Sequence, residues 1–116
     1  VKQLGITKSL IIKKHWLDKI LSGEKTWEMR TTRTKTRGKI GLIESGSGLI
    51  VATIEITGCS IGKVTKNPEL IKYHQVEDLN LLDKWCYAWY MRKPNKLKKP
   101  IPYDHPKGAV IWVKHD

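Results

Sequence analysis

Apolar residues recur along the chain with two periods, two and about 3.6, and the switches between them mark the elements. Leu4 and Ile6 alternate with polar neighbours, and Leu10-Ile11-Ile12 follow as a run, predicting an extended first strand over residues 3–12. Over Lys13–Leu21 the period lengthens. Leu17, Ile20 and Leu21 fall at i, i+3, i+4 while Lys14, Asp18 and Lys19 face away, predicting a short helix. Gly23 stands just past its last apolar turn, where a positive φ ends a helix at little cost. Alternation returns in Lys25–Thr31: Trp27 and Met29 share one face, and Thr26, Glu28 and Arg30 share the other.

Thr31–Arg37 is a polar, basic loop. Gly38 opens a strand over Lys39–Glu44, and Ser45-Gly46-Ser47-Gly48 turns it into a return strand over Leu49–Cys59. In that return strand Ile50, Ala52, Ile54 and Ile56 form an apolar face opposite Thr53, Glu55 and Thr57. Asn67 caps a short helix over 68–74, with Pro68 in its first turn, and Asp78 or Asn80 caps a further turn or two through Trp85. Tyr87–Met91 reads as a strand. Arg92–Pro102 is basic and bounded by prolines, and Ile101–Lys107 is irregular. Gly108 precedes a near-continuous apolar final strand, Ala109–Val113.

About six strands with short helices tucked between them make an α+β domain. The strands lack regular helical crossovers, so a small mixed or antiparallel barrel with peripheral helices fits better than a parallel sheet. Residues 1–116 show no internal repeat and no linker, which reads as a single domain.

Charge changes this picture from a generic barrel to one with a partner. Twenty-two Lys and Arg against eleven Asp and Glu give a net charge of +11. Such an excess favours a polyanion, because contacts to phosphates release condensed counterions. No apolar run reaches the roughly 18 residues of a membrane span, no basic amphipathic helix of useful length appears, and no signal-peptide pattern is present. The two cysteines, Cys59 and Cys86, form no CxxC or Cys-His spacing for zinc. Two reduced thiols lead us to expect a cytoplasmic protein.

The densest chemistry lies in Ser22–Arg30. Lys25, Glu28 and Arg30 stand within six positions, behind a glycine and beside a tryptophan. Glu28 and Arg30 are same-face neighbours; Lys25 joins them by proximity at the strand's first position. For cleavage of RNA by a 2′-hydroxyl, Glu28 serves as base, and Lys25 and Arg30 hold the phosphate. His15, His74 and His105 are the candidate acids. For hydrolysis of an amide on a modified base, a desolvated Lys25 activates water or a hydroxyl, and Glu28 binds the exocyclic amine. The third reading is a non-catalytic ion network that orders a binding groove.

Gly23-x-Lys25-x-x-Glu28-x-Arg30 after a short Leu/Ile helix resembles the GxKxxExR signature of ASCH domains, a branch of the PUA-like superfamily. Arg37-Gly38-Lys39-Ile40 is similar to the opening of that family's next strand. Tyr87-Ala88-Trp89, Pro100-Ile101-Pro102-Tyr103 and Gly108-Ala109-Val110-Ile111-Trp112 resemble its C-terminal part, so the likeness covers almost the whole chain. The resemblance implies a PUA-like barrel, a cleft holding Lys25, Glu28 and Arg30 as catalytic candidates, and a connection with RNA. Members have been linked to RNA binding, RNA cleavage, coactivator modules and deacetylation of N4-acetylcytidine. The amidohydrolase members carry Thr where this chain has Glu28.

The expected ligand is therefore single-stranded RNA or a modified nucleotide, with ribonuclease activity the leading enzymatic reading and amidohydrolysis the alternative. Arg33, Lys35, Arg37, Lys93, Lys96, Lys98 and Lys99 are the candidate phosphate contacts, and Tyr87, Trp89 and Tyr103 the candidate aromatic wall. No cofactor or dedicated metal site is expected. A divalent cation arriving with phosphate would find Glu28 or Glu55 as one ligand. A polyanion partner predicts affinity for single-stranded RNA that falls steeply with salt in a filter-binding titration; a flat salt response would remove the electrostatic part of this reading.

Overall fold

The computed structural model describes all 116 residues. Six strands form one mixed sheet: β1 (Lys8–Ile12), β2 (Trp27–Arg30), β3 (Gly38–Glu44), β4 (Leu49–Cys59), β5 (Tyr87–Pro102) and β6 (Trp112–Lys114). They lie in the order β2-β5-β4-β3-β1-β6. Only β1 and β3 run parallel. Helix α1 (Lys14–Leu21) crosses between β1 and β2, and the short α2 (Ile71–His74) lies in the connection from β4 to β5.

The sheet curls far enough to bring its two ends together. Trp89 of β5 stacks on Trp112 of the edge strand β6, ring centroids 5.7 Å apart. Arg30 of the other edge strand, β2, reaches the Ile11 carbonyl of β1 at 3.1 Å. The main core fills the curl: Leu10, Ile12, Ile40, Leu42, Ala52, Ile54, Ile56, Trp89 and Met91 from the strands, with Leu17 and Ile20 of α1 packed on them. A second cluster joins Met29 and Ala88 of the β2–β5 pair to Val76 and Leu82 from the connection.

Helix α1 ends as its sequence demands. Gly23 adopts φ +88 and donates its N–H to the Ile20 carbonyl. Two residues on, the Lys25 N–H returns to the Lys19 carbonyl. Asn67 accepts the Glu69 N–H and Asp78 accepts the Asn80 N–H, capping short turns as expected.

Three expectations are corrected. Residues 2–4 form a 3-10 turn closed by Gly5, so the first strand begins only at Lys8. The basic, proline-bounded stretch after Met91 is strand: β5 runs on to Pro102 against β4. Its prolines fit because pairing with β2 ends at Tyr90, leaving one edge open, and because the register with β4 breaks around them. Arg92 pairs Glu55 and Asn95 pairs Thr53, so Lys93 and Pro94 face the single residue Ile54. Last, β6 is only Trp112–Lys114; of the apolar residues before it, Ala109 and Val110 line surface hollows and Ile111 is exposed. In β4, Val51 is the extra residue of a bulge, and across it Ile50 leaves the main core for a third cluster with Ile43 and Val113.

Gly41 faces Ser9 where β1 and β3 pair. A Cβ there would collide with the buried Ser9 Oγ, which is itself held 2.7 Å from His115 Nε2. Gly41→Ala should therefore cost about 1–3 kcal/mol, read as a lower urea midpoint at unchanged slope.

Candidate functional site

The end of α1 and the start of β2 position the charged cluster. Lys25 is anchored through its backbone to Lys19, and the next N–H, of Thr26, donates to the Tyr73 carbonyl at 2.9 Å. This anchoring turns the Lys25 side chain inward: only 2% of the residue is exposed. Its Nζ donates to the His74 carbonyl at 2.6 Å and pairs with Glu28 Oε1 at 3.5 Å. It also lies 4.7 Å from the centre of the Trp16 ring, a cation–π contact. Strand alternation places Glu28 and Arg30 together. Arg30 Nε and Nη2 donate to Glu28 Oε2 at 3.0 and 2.8 Å, and the guanidinium stands 5.6 Å from the Trp89 ring centre. Each Glu28 oxygen thus faces a cation.

These three side chains form one polar side of a cavity of about 210 Å³. Ile11 and Ile12 of β1, Trp16 of α1, Met29, Val76, Trp85 and Val110 supply its apolar walls, with Lys13 and Ser45 at its margin. A second hollow of about 520 Å³ adjoins it and shares Ile11, Ser45 and Val110 with it. Burial sets the electrostatics. Desolvation pushes the Lys25 pKa down from 10.5 to about 8; the Glu28 carboxylate pulls the other way, and Arg30 and Lys19 add to the lowering.

The remaining candidates lie elsewhere. Arg33 donates to the Ser60 carbonyl at 2.9 Å, and Arg37 to the Thr34 and Thr36 carbonyls, so the basic loop is folded on backbone oxygens with Lys35 exposed between them. Lys93, Lys96, Lys98 and Lys99 are exposed along the distal half of β5. None of these cations lines the cavity. Glu55 is held by Arg92 at 2.8 Å and by Lys93 at 4.0 Å, and is likewise outside it. Trp89 is buried in the main core with its Nε1 on the Thr32 carbonyl, Tyr87 is half-buried beside Arg30 in the β2–β5 pairing, and Tyr103 lines the second hollow. His15 is exposed against Trp16, His105 lines the second hollow, and His74 is fully buried outside the cavity lining. Burial, then the Lys25 charge, lowers the His74 pKa.

The indoles at the cavity are Trp16 and Trp85, which sequence reasoning missed. Trp16 had a signal: it lies four residues before Ile20, on the same helical face. Trp85 had none, since it comes to the site through the irregular connection from β4 to β5.

The ASCH domain profile matches residues 10–101, and the chain belongs to the ASCH domain family. In fold it is similar to the crystal structure of ASCH from Zymomonas mobilis: TM-score 0.69, 12% identity, covering 94% of this chain and 87% of that one. Two point variants of that Zymomonas mobilis protein are similar in the same way. One replaces a serine with alanine, at TM-score 0.67, 12% identity and 94% and 87% coverage. The other replaces a tyrosine with phenylalanine, at TM-score 0.68, 12% identity and 94% and 89% coverage. No curated protein matches the chain in sequence.

The depressed Lys25 pKa has a definite sign. Below about pH 8 folded and unfolded chains both hold the proton; between about 8 and 10.5 only the unfolded chain does. The unfolded state then binds more protons, so the Lys25 contribution to stability rises with pH across that window. Urea denaturation of the parent against Lys25→Met should show this rise in the difference between the two, and a pH-independent difference would contradict it. Glu28→Gln should destabilise the fold by about 3–5 kcal/mol, because it leaves two cations facing each other without their counter-charge.

Proposed function

We propose that this ASCH domain takes one base of single-stranded RNA, or a modified nucleoside, into the cavity floored by Lys25, Glu28 and Arg30. The observation that carries this reading is the form of the cavity. It is apolar and indole-walled on one side, and lined on the other by a fixed set of N–H donors and a carboxylate. Aromatic faces suit a base ring, and a few placed polar groups suit its edge. At about 210 Å³ the space is below the roughly 300–1,000 Å³ of ordinary small-molecule pockets, so it suits a single ring rather than a strand. The backbone of a longer RNA would lie outside, where the exposed Lys35 and the Lys96–Lys99 stretch supply phosphate contacts.

A specific observation favours turnover of an N4-acylated cytidine over cleavage of RNA. Lys25 is buried, and its pKa of about 8 lets a useful fraction lose the proton near neutral pH. The neutral amine takes a proton from water as the oxygen attacks the acetyl carbon. Arg30 stabilises the oxyanion, and the Lys25 ammonium returns the proton to the departing exocyclic nitrogen, leaving acetate and cytidine. Glu28 holds the other two groups in place. Cleavage with Glu28 as base draws less support, because both of its oxygens already face cations.

Pure protein given N4-acetylcytidine and labelled single-stranded RNA in parallel separates the readings. Hydrolysis predicts acetate release with kcat/KM rising through about pH 8, and a loss of about 100-fold or more in Lys25→Met. Quenching of tryptophan fluorescence without acetate release would leave a binding module, and RNA cleavage by the parent that is lost in Glu28→Gln shown by circular dichroism to be folded would restore the ribonuclease reading.

A further inference from the structure

We propose that the hollow beside the Lys25 cavity is a ribose subsite, in which the Tyr103 hydroxyl oxygen accepts a hydrogen bond from a sugar hydroxyl. The proposal rests on the reading of the Lys25 cavity as a base site. Contiguity is the first ground: Ile11, Ser45 and Val110 border both spaces, so a ring in one directs its substituent into the other. Charge is the second. In a chain of net charge +11, no Lys, Arg, Asp or Glu lines the hollow, which suits an uncharged polar group and gives a phosphate nothing to pair with.

Fixed hydrogen-bond polarity is the third ground. His105 Nε2 lies 2.8 Å from the Ala109 carbonyl, which can only accept, so this nitrogen carries the proton. In the neutral imidazole Nδ1 is then an acceptor, and the Tyr103 hydroxyl 2.8 Å away donates to it. The Tyr103 oxygen is left with lone pairs only, aimed by a two-bond relay anchored on the backbone. A hydroxyl-bearing ligand matches it; a ligand with only acceptors does not. Gly46 and Gly48 leave this side of the hollow free of side chains, making room for a sugar ring.

The test is a stopped-flow tryptophan-fluorescence titration of the whole chain with N4-acetylcytidine and with N4-acetyl-1-methylcytosine, which has the same base but no sugar. Amplitudes are read before any turnover. The nucleoside should bind about three- to tenfold tighter, the range of one net hydrogen bond. Tyr103→Phe should abolish that advantage while leaving the methylated base unaffected. Equal affinity of the two ligands for the parent overturns the sugar subsite and leaves the base site standing. An advantage that survives in Tyr103→Phe overturns the assignment to Tyr103. Binding of neither ligand removes the base site and the subsite together.

Discussion

A buried lysine and glutamate beside a half-buried arginine cannot be left as separate charges, and their mutual pairing is the constraint on which the site and much of the fold depend. Isolated ions would each cost several kcal/mol to desolvate. Here Glu28 is shared: one oxygen faces Lys25 and the other takes two N–H groups of Arg30. Each cation also donates to a backbone carbonyl, Lys25 to that of His74 and Arg30 Nη2 to that of Ile11. These last two bonds extend the network beyond the cavity. Arg30 links the edge strand β2 to β1 across the mouth of the curled sheet, and Lys25 ties the start of β2 to the end of α2. The groups best placed for chemistry are therefore also fasteners, and loss of activity in a variant has meaning only beside a measurement of its stability.

The same arrangement divides labour by polarity. One wall of the cavity is built from side chains that also belong to the core, Ile12, Met29 and Val76, and from two indoles. The cations that give the protein its net charge are excluded from it, apart from the network itself and Lys13 at the margin. Exposed cationic charge lies on the loop after β2 and along β5, while the cavity presents indoles, an apolar wall and the Lys25–Glu28–Arg30 network. A basic exterior around an apolar, hydrogen-bonding pocket suits a ligand with an anionic backbone and an extractable base. It also explains why net charge alone says little about what the cavity holds.

Much of this was legible in the linear chain. Helical spacing found α1, a glycine found its end, and alternation placed Glu28 and Arg30 on one face because a strand allows no other parity. The Gly-x-Lys-x-x-Glu-x-Arg spacing was enough to place the chain near its family. What misled was composition read locally. The prolines of 94–102 looked like a break in structure, yet bulges and a free edge admit them to β5. The apolar run 109–113 looked like a buried strand, yet Val110 is 76% exposed and stands at the junction of the two hollows.

Sequence by itself determined which residues are neighbours within an element, because backbone geometry fixes the side-chain period. It could not determine which elements face one another. That depends on how far the sheet curls, a property of all the pairings and bulges together. The curl decided that Trp89 meets Trp112 in the core rather than a ligand in the cleft, and it brought Trp85 from a distant irregular segment to the Lys25 cavity. It also buried Lys25, and burial rather than residue type gives that amine a pKa near 8.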